Sequence, residues 1–257
     1  MEEENRQQNP LVRGLEVFGN LFALNVLFLI CCIPVITIGA SMTAMYAMCF
    51  KMIKKEEGPI GKEFFKIFKK EFKNATLAWV IVIIAFAVIW AEFLYVSNFT
   101  DEVTSFYSIL LVVEAIILAM ILPFLFPLIA RFDNTLGNYF KNAFLLSVSN
   151  LWAWIKVIIA WSAPIILSLR YPFIILSFWY LWMIIIFALI AYGTSHTMAK
   201  VFDRVNVTQE QKQEKEKAKA EEARKKAAIR EHAMFGSQEK EEDAEIDTAK
   251  EETAVKE

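Results

Sequence analysis

Leu24-Asn25-Val26-Leu27-Phe28-Leu29-Ile30-Cys31-Cys32-Ile33-Pro34-Val35-Ile36-Thr37-Ile38-Gly39-Ala40-Ser41 lies in the middle of a run, residues 17–50, that holds no charged side chain. As one α-helix the 34-residue run would reach about 50 Å. A hydrocarbon core is only about 30 Å thick, so one perpendicular span fits poorly. Pro34 lacks a backbone donor and disfavours helix at Ile33. Gly39 can supply a positive φ where the helix restarts. The reading is two membrane segments with a sharp break at Pro34–Gly39; a broken or re-entrant first element is the alternative.

The rest of the chain extends this pattern. It has 257 residues, 56% hydrophobic and 14% aromatic, against roughly 45–50% apolar in a soluble domain. Residues 74–91 and 171–199 lack charge, 103–130 carry only Glu114, and 142–169 carry only Lys156. Runs of this length read as transmembrane helices. The fold class is therefore all-α: a polytopic transmembrane bundle of about five to six segments. The Met1-Glu2-Glu3-Glu4 start has no basic n-region, so the first apolar run is expected to be retained. The charge distribution is not that of a nucleic-acid binder.

Charge sets the expected topology. Residues 51–73 carry eight lysines, which the positive-inside rule places in the cytoplasm. Val96–Ser105 has no basic residue and carries Asp101 and Glu102, so it faces outward. Arg131 and Lys141 mark the next inner loop, and Arg170 lies in an outer turn. Six segments follow, at about 17–33, 40–53, 74–96, 106–130, 150–169 and 172–195, with both termini cytoplasmic. The domain reading is an N-terminus 1–16, a membrane domain 17–204 and a charged tail 205–257. The tail reads as a solvated helix followed by an acidic stretch expected to be disordered, since its a/d positions are not apolar.

Within the first run, Gly39, Thr43 and Ala47 recur every four residues, with Ala40 and Ala44 alongside. Small residues at this spacing let helix backbones approach closely. Pro34, Gly39 and Thr43 are thus candidate hinge and packing residues. The second segment is short, so it is expected to be tilted or shielded from lipid by its neighbours. Cys31, Cys32 and Cys49 form no CxxC and read as apolar packing residues.

Segment 60–73 is amphipathic. Phe65, Phe68 and Phe72 share one helical face with Phe64 at its edge, and Lys62, Lys66, Lys69 and Lys73 share another. Two readings fit: a helix lying in the membrane interface with its lysines on lipid phosphates, or a cytoplasmic helix whose Phe face packs on the bundle. Phe72-Lys73-Asn74-Ala75 recurs as Phe140-Lys141-Asn142-Ala143, each just before a membrane segment. This suggests a weak internal repeat.

Glu114 stands inside its segment, where an ionised carboxylate costs about 2.5–3.5 kcal/mol on insertion scales. It is either a proton- or substrate-coupling residue or a structural partner of another helix, with Arg170 or a hydroxyl as candidates. Asn25 and Asn20 can hydrogen-bond between helices, and Asn25 joins Glu114 as a candidate functional residue. Lys156 can snorkel. Trp79, Trp90, Trp152, Trp154 and Tyr95 read as interfacial belt residues, and Pro123, Pro127 and Pro164 as kinks. No catalytic constellation, metal-ligand spacing or cofactor motif is visible, and His196 reads as a helix-end residue.

The stretch Leu24–Ser41 resembles the opening signature of the YesL-like bacterial membrane proteins, which carry a domain of unknown function. Asn9-Pro10-Leu11 and Arg131-Phe132-Asp133-Asn134-Thr135-Leu136, followed by Lys141-Asn142-Ala143, fit the same resemblance, which covers about residues 5–205. It implies a multi-pass plasma-membrane protein of Gram-positive bacteria, with relatives encoded near sugar uptake systems. It supplies no catalytic residues. The expected function is non-enzymatic: help to carbohydrate uptake or its regulation by helix packing with a transporter or membrane sensor. The alternative is a small transporter with Glu114 in its pathway.

Overall fold

The protein is described by a computed structural model over residues 10–98, 102–171, 173 and 182–205. The expected N-terminus and charged tail fall largely outside these residues, as does most of 172–181. The chain divides into two compact units, Met1–Val201 and Phe202–Glu257, and the helix bundle forms within the first. Among the described residues there is no strand. Among those residues five helices are long and apolar enough to cross a membrane, or six if a bent pair counts as one span.

The first run is two helices, α1 (Pro10–Cys32) and α2 (Ile38–Lys54), joined through a 3-10 turn at Val35–Thr37. Arg13, near the start of α1, donates to the carbonyl of Met52 at the end of α2 (3.4 Å), so the two run antiparallel. They form a hairpin with lengths of about 34 and 26 Å. The break satisfies its own carbonyls. Thr37 donates its N–H to Pro34 O (3.0 Å) and its hydroxyl to Cys31 O (2.5 Å).

Gly39 is already inside α2, and no described glycine has a positive φ. The positive φ expected there is absent, while the close packing expected from the Gly39–Thr43–Ala47 spacing is present at Gly39. Most of α2 is buried, including Gly39, Ala40, Thr43, Ala44, Tyr46 and Cys49. It packs against α1, α3 and α4. This shielding lets a short, less apolar helix sit in the bundle.

Helix α3 (Ile60–Asn98) is continuous over 39 residues, about 58 Å. No proline or glycine follows Gly61 in it. The amphipathic segment 60–73 is thus helical as expected but is the first part of α3, collinear in the chain with the apolar part and not an element of its own. Its inward face is Phe64, Glu71, Ala75, Ala78 and Val82, spaced seven, four, three and four as in a packed helix seam. Phe64 is fully buried, whereas Phe65 and Phe72 are 43% and 40% exposed. The packed face is turned by about one residue from the expected one.

Helix α4 (Glu102–Arg131) runs through Pro123 and Pro127 and returns alongside α3, where Lys70 pairs with Asp133 (3.0 Å). Next come α5 (Leu136–Ser149) and α6 (Leu151–Arg170), bent by 103° at Asn150. The two copies of the four-residue echo agree in burial at two positions: Ala75 and Ala143 are fully buried, Lys73 and Lys141 exposed. They differ in outcome, since α3 runs on and α5 stops at the bend. The last described helix, α7 (Ile184–Val205), is entered through a π-helical turn at Trp182–Ile186 that overlaps its first residues.

The first hairpin covers only part of α3. Gly39, at the top of α2, meets Ala75, and α3 continues for 23 residues beyond it, about 35 Å. The far half of α3 and the facing part of α4 therefore stand beyond the hairpin and carry exposed Ile84, Phe86, Trp90, Ile109 and Ile116.

Candidate functional site

On this projecting pair, α3 and α4 enclose a groove of about 370 Å³. Ile81, Ala85 and Val88 line one wall, Ile117 and Ile121 the other, and α5 adds Phe140. Glu114 is the only ionisable residue among the described residues of this lining. It is half-buried, and no ion pair or hydrogen bond joins it to another residue among those described. Glu92 on α3 lies within its electrostatic field, and one Glu92 carboxylate oxygen is buried without a hydrogen-bond partner. Arg170, an expected partner of Glu114, instead places its guanidinium 5.5 Å from the Tyr171 ring. The site is thus two acidic side chains on an aliphatic surface, with no cation paired to either among the described residues.

Asn25 has a different position. It is fully buried, and its side-chain oxygen accepts the backbone N–H of Ala188 (2.9 Å). Ala188 lies two residues past the π-helical turn. Phe28 and Phe187 pack beside this bond, with ring centroids 5.6 Å apart. Asn25 thus ties α1 to the last described helix.

Pro34 is exposed at the break. At Gly39 α2 and α3 approach closely: a Cβ there would lie 2.5 Å from Ala75 O and 2.6 Å from Trp79 Cβ. Thr43 is fully buried, and its hydroxyl has no hydrogen-bond partner. Trp79 donates its indole N–H to Val35 O in the break (2.8 Å). Trp154 donates to Ala119 O (3.0 Å), and Trp161 to the Tyr46 hydroxyl (3.1 Å). Trp79 and Trp154, expected as belt residues, are therefore interhelical ties. A Trp N–H away from water needs an acceptor, but its identity depends on tertiary packing. Trp90 and Trp152 are exposed at 62% and 79%.

The open end of the first hairpin holds a polar cavity of about 500 Å³ lined by Arg13, Glu16, Asn20, Lys55 and Glu57, among others. Arg13 forms an ion pair with Glu57 (2.6 Å). Nearby, Lys51 pairs with Glu63 and holds that carboxyl below its ordinary range. Lys62, Lys66, Lys69 and Lys73 are all exposed. Lys70, outside that stripe, is held above its ordinary range by Glu71 (2.9 Å) and Asp133 (3.0 Å).

The Arg131–Leu136 motif builds the turn between α4 and α5. The Tyr139 hydroxyl donates to Phe132 O (2.7 Å) and accepts the Asn134 N–H (2.9 Å). The Asn134 side chain accepts from Thr135 N–H and Asn138. Arg131 lies 5.6 Å from the Phe50 ring centroid, joining this turn to α2. His196 contacts Tyr192 on its own helix.

The profile of a family described as a protein of unknown function, DUF624, matches residues 21–93. That stretch holds Asn25, the Pro34–Gly39 break, the lysine face, Trp79 and Glu92, and ends before Glu114. No curated protein and no solved structure matches the chain.

Proposed function

We propose that this is a non-enzymatic, multi-pass plasma-membrane protein of the YesL-like kind, accessory to carbohydrate uptake or its regulation in Gram-positive bacteria. It acts through helix–helix contacts with a transporter or membrane sensor. The observation that carries the helix-contact reading is Glu114: a membrane carboxylate without a cation, in a groove lined otherwise by apolar side chains, on a helix pair that projects past the first hairpin. The link to carbohydrate comes from the family resemblance alone. The proposed topology keeps the lysine-rich segment and both termini in the cytoplasm, with the lysine face on anionic lipid. Reporter fusions at Gly58, Thr100 and the C-terminus test it, and an outward signal from Gly58 overturns it. Purification of the tagged protein in mild detergent tests the function. An uptake or sensor component should co-purify, and repeated failure to recover one counts against the reading.

A small transporter is the second reading, favoured by the fact that Glu114 lines a cavity. The purified protein alone in proteoliposomes would then move a solute, and Glu114→Gln would abolish that movement. An accessory protein moves nothing by itself.

A further inference from the structure

We infer that the Glu92–Glu114 face is the docking site for a transmembrane helix of another protein that carries a lysine or arginine within its apolar stretch. This rests on the helix-contact reading above and adds the chemistry of the contact. Exposed isoleucine and valine on α3 and α4 suit lipid and a neighbouring helix equally, but carboxylates do not. Glu114 has no partner among the described residues, and Glu92 has a buried oxygen with none. The two acids lie in one field and share a sign, so neither stabilises the other's charged form. A cationic side chain entering the groove offsets both charges at once. Its helix would bury the surrounding aliphatic residues against its own apolar flanks.

The spacing sets a geometric condition. Glu92 is six residues from the end of α3 and Glu114 twelve from the start of α4. These offsets are about 9 and 18 Å along the pair. One long cation between them, or two cations seven residues apart on one helix face, matches that step. A second copy of this chain is a poor fit. Lys156, the exposed cation within an apolar stretch of the described helices, stands near the start of α6 beside the 103° elbow at Asn150, not midway along a straight span.

The test uses the full chain in phosphatidylcholine vesicles. Two synthetic transmembrane peptides of leucine and alanine are compared, one with a single central lysine and one with leucine there. Association is read by fluorescence energy transfer. The lysine peptide is expected to bind roughly three- to tenfold more tightly. Glu114→Gln should remove that preference, and Glu92→Gln should reduce it. Glutamine keeps the side-chain shape, and circular dichroism checks the fold. Equal binding of both peptides overturns the inference, as does a preference that survives Glu92→Gln/Glu114→Gln together. Glutamate-dependent self-association without a peptide preference also overturns it, assigning the face to a second copy. The peptide assay needs no native partner, so its failure is distinct from failure to recover an uptake or sensor component.

Discussion

Gly39 and Ala75 are in backbone contact: a Cβ on Gly39 would stand 2.5 Å from the Ala75 carbonyl oxygen. The obstacle is backbone, which no rotamer change removes, so Gly39→Ala forces α2 and α3 apart. A loss of about 2 kcal/mol or more is expected, read as a lower unfolding midpoint in detergent. Gly14→Ala and Gly19→Ala are the controls. Both lie in α1 with nothing within 4 Å of the new methyl, so they should be neutral or stabilising by up to about 1 kcal/mol. Equal destabilisation at Gly14 and Gly39 would refute the close approach.

The bond from Ala188 N–H to Asn25 crosses 163 residues of chain. Asn25→Leu leaves that N–H buried without its acceptor, at a cost of about 1–2 kcal/mol. Hydrogen exchange at Ala188 should accelerate in the variant, while amides in the middle of α3 keep their protection. Unchanged exchange at Ala188 would show that the bond does not hold α7.

Trp79 closes the hairpin break from outside it. Trp79→Phe keeps an aromatic ring near Phe126, whose centroid is 6.0 Å away, but removes the donor to Val35 O. Roughly 1 kcal/mol should be lost. Trp90→Phe, at a 62% exposed position, should change stability by less than about 0.5 kcal/mol. Thermal unfolding of both variants in one detergent gives the comparison.

Pro34 and Gly39 punctuate the apolar run, so two helices were readable there. Glu114 was legible because a charge inside a 28-residue apolar stretch stands out. The length of α3 was not. The change from lysine-rich to apolar after Lys73 marks a change of surroundings, while backbone hydrogen bonding passes through it unbroken. The bend at Asn150 was equally hidden, since neither proline nor glycine stands there, and Asn150 takes φ −131° and ψ 55°. Gly39 supports two expectations, a positive φ at the restart and a close helix approach, and the fold uses only the second. The acceptors of Trp79 and Trp154, and the choice of Phe64 over Phe65 as the inward ring, depend on which helix lies opposite. The periodicity of one segment carries no such information.

The Lys51–Glu63 pair gives the fold a pH signature. Lys51 holds the Glu63 carboxyl below its ordinary value, chiefly by hydrogen bonding. A carboxyl with a depressed folded-state pKa contributes stability that is present above its unfolded value, about 4.3. That contribution fades as pH falls through the lower folded value. The wild type should therefore lose stability on acidification below about pH 5, and Glu63→Gln should lose less. At neutral pH the variant should already lack the contribution. Unfolding midpoints at pH 7, 5 and 4 in one buffer series measure this. Parallel curves for the two proteins would show that Glu63 is not held by Lys51.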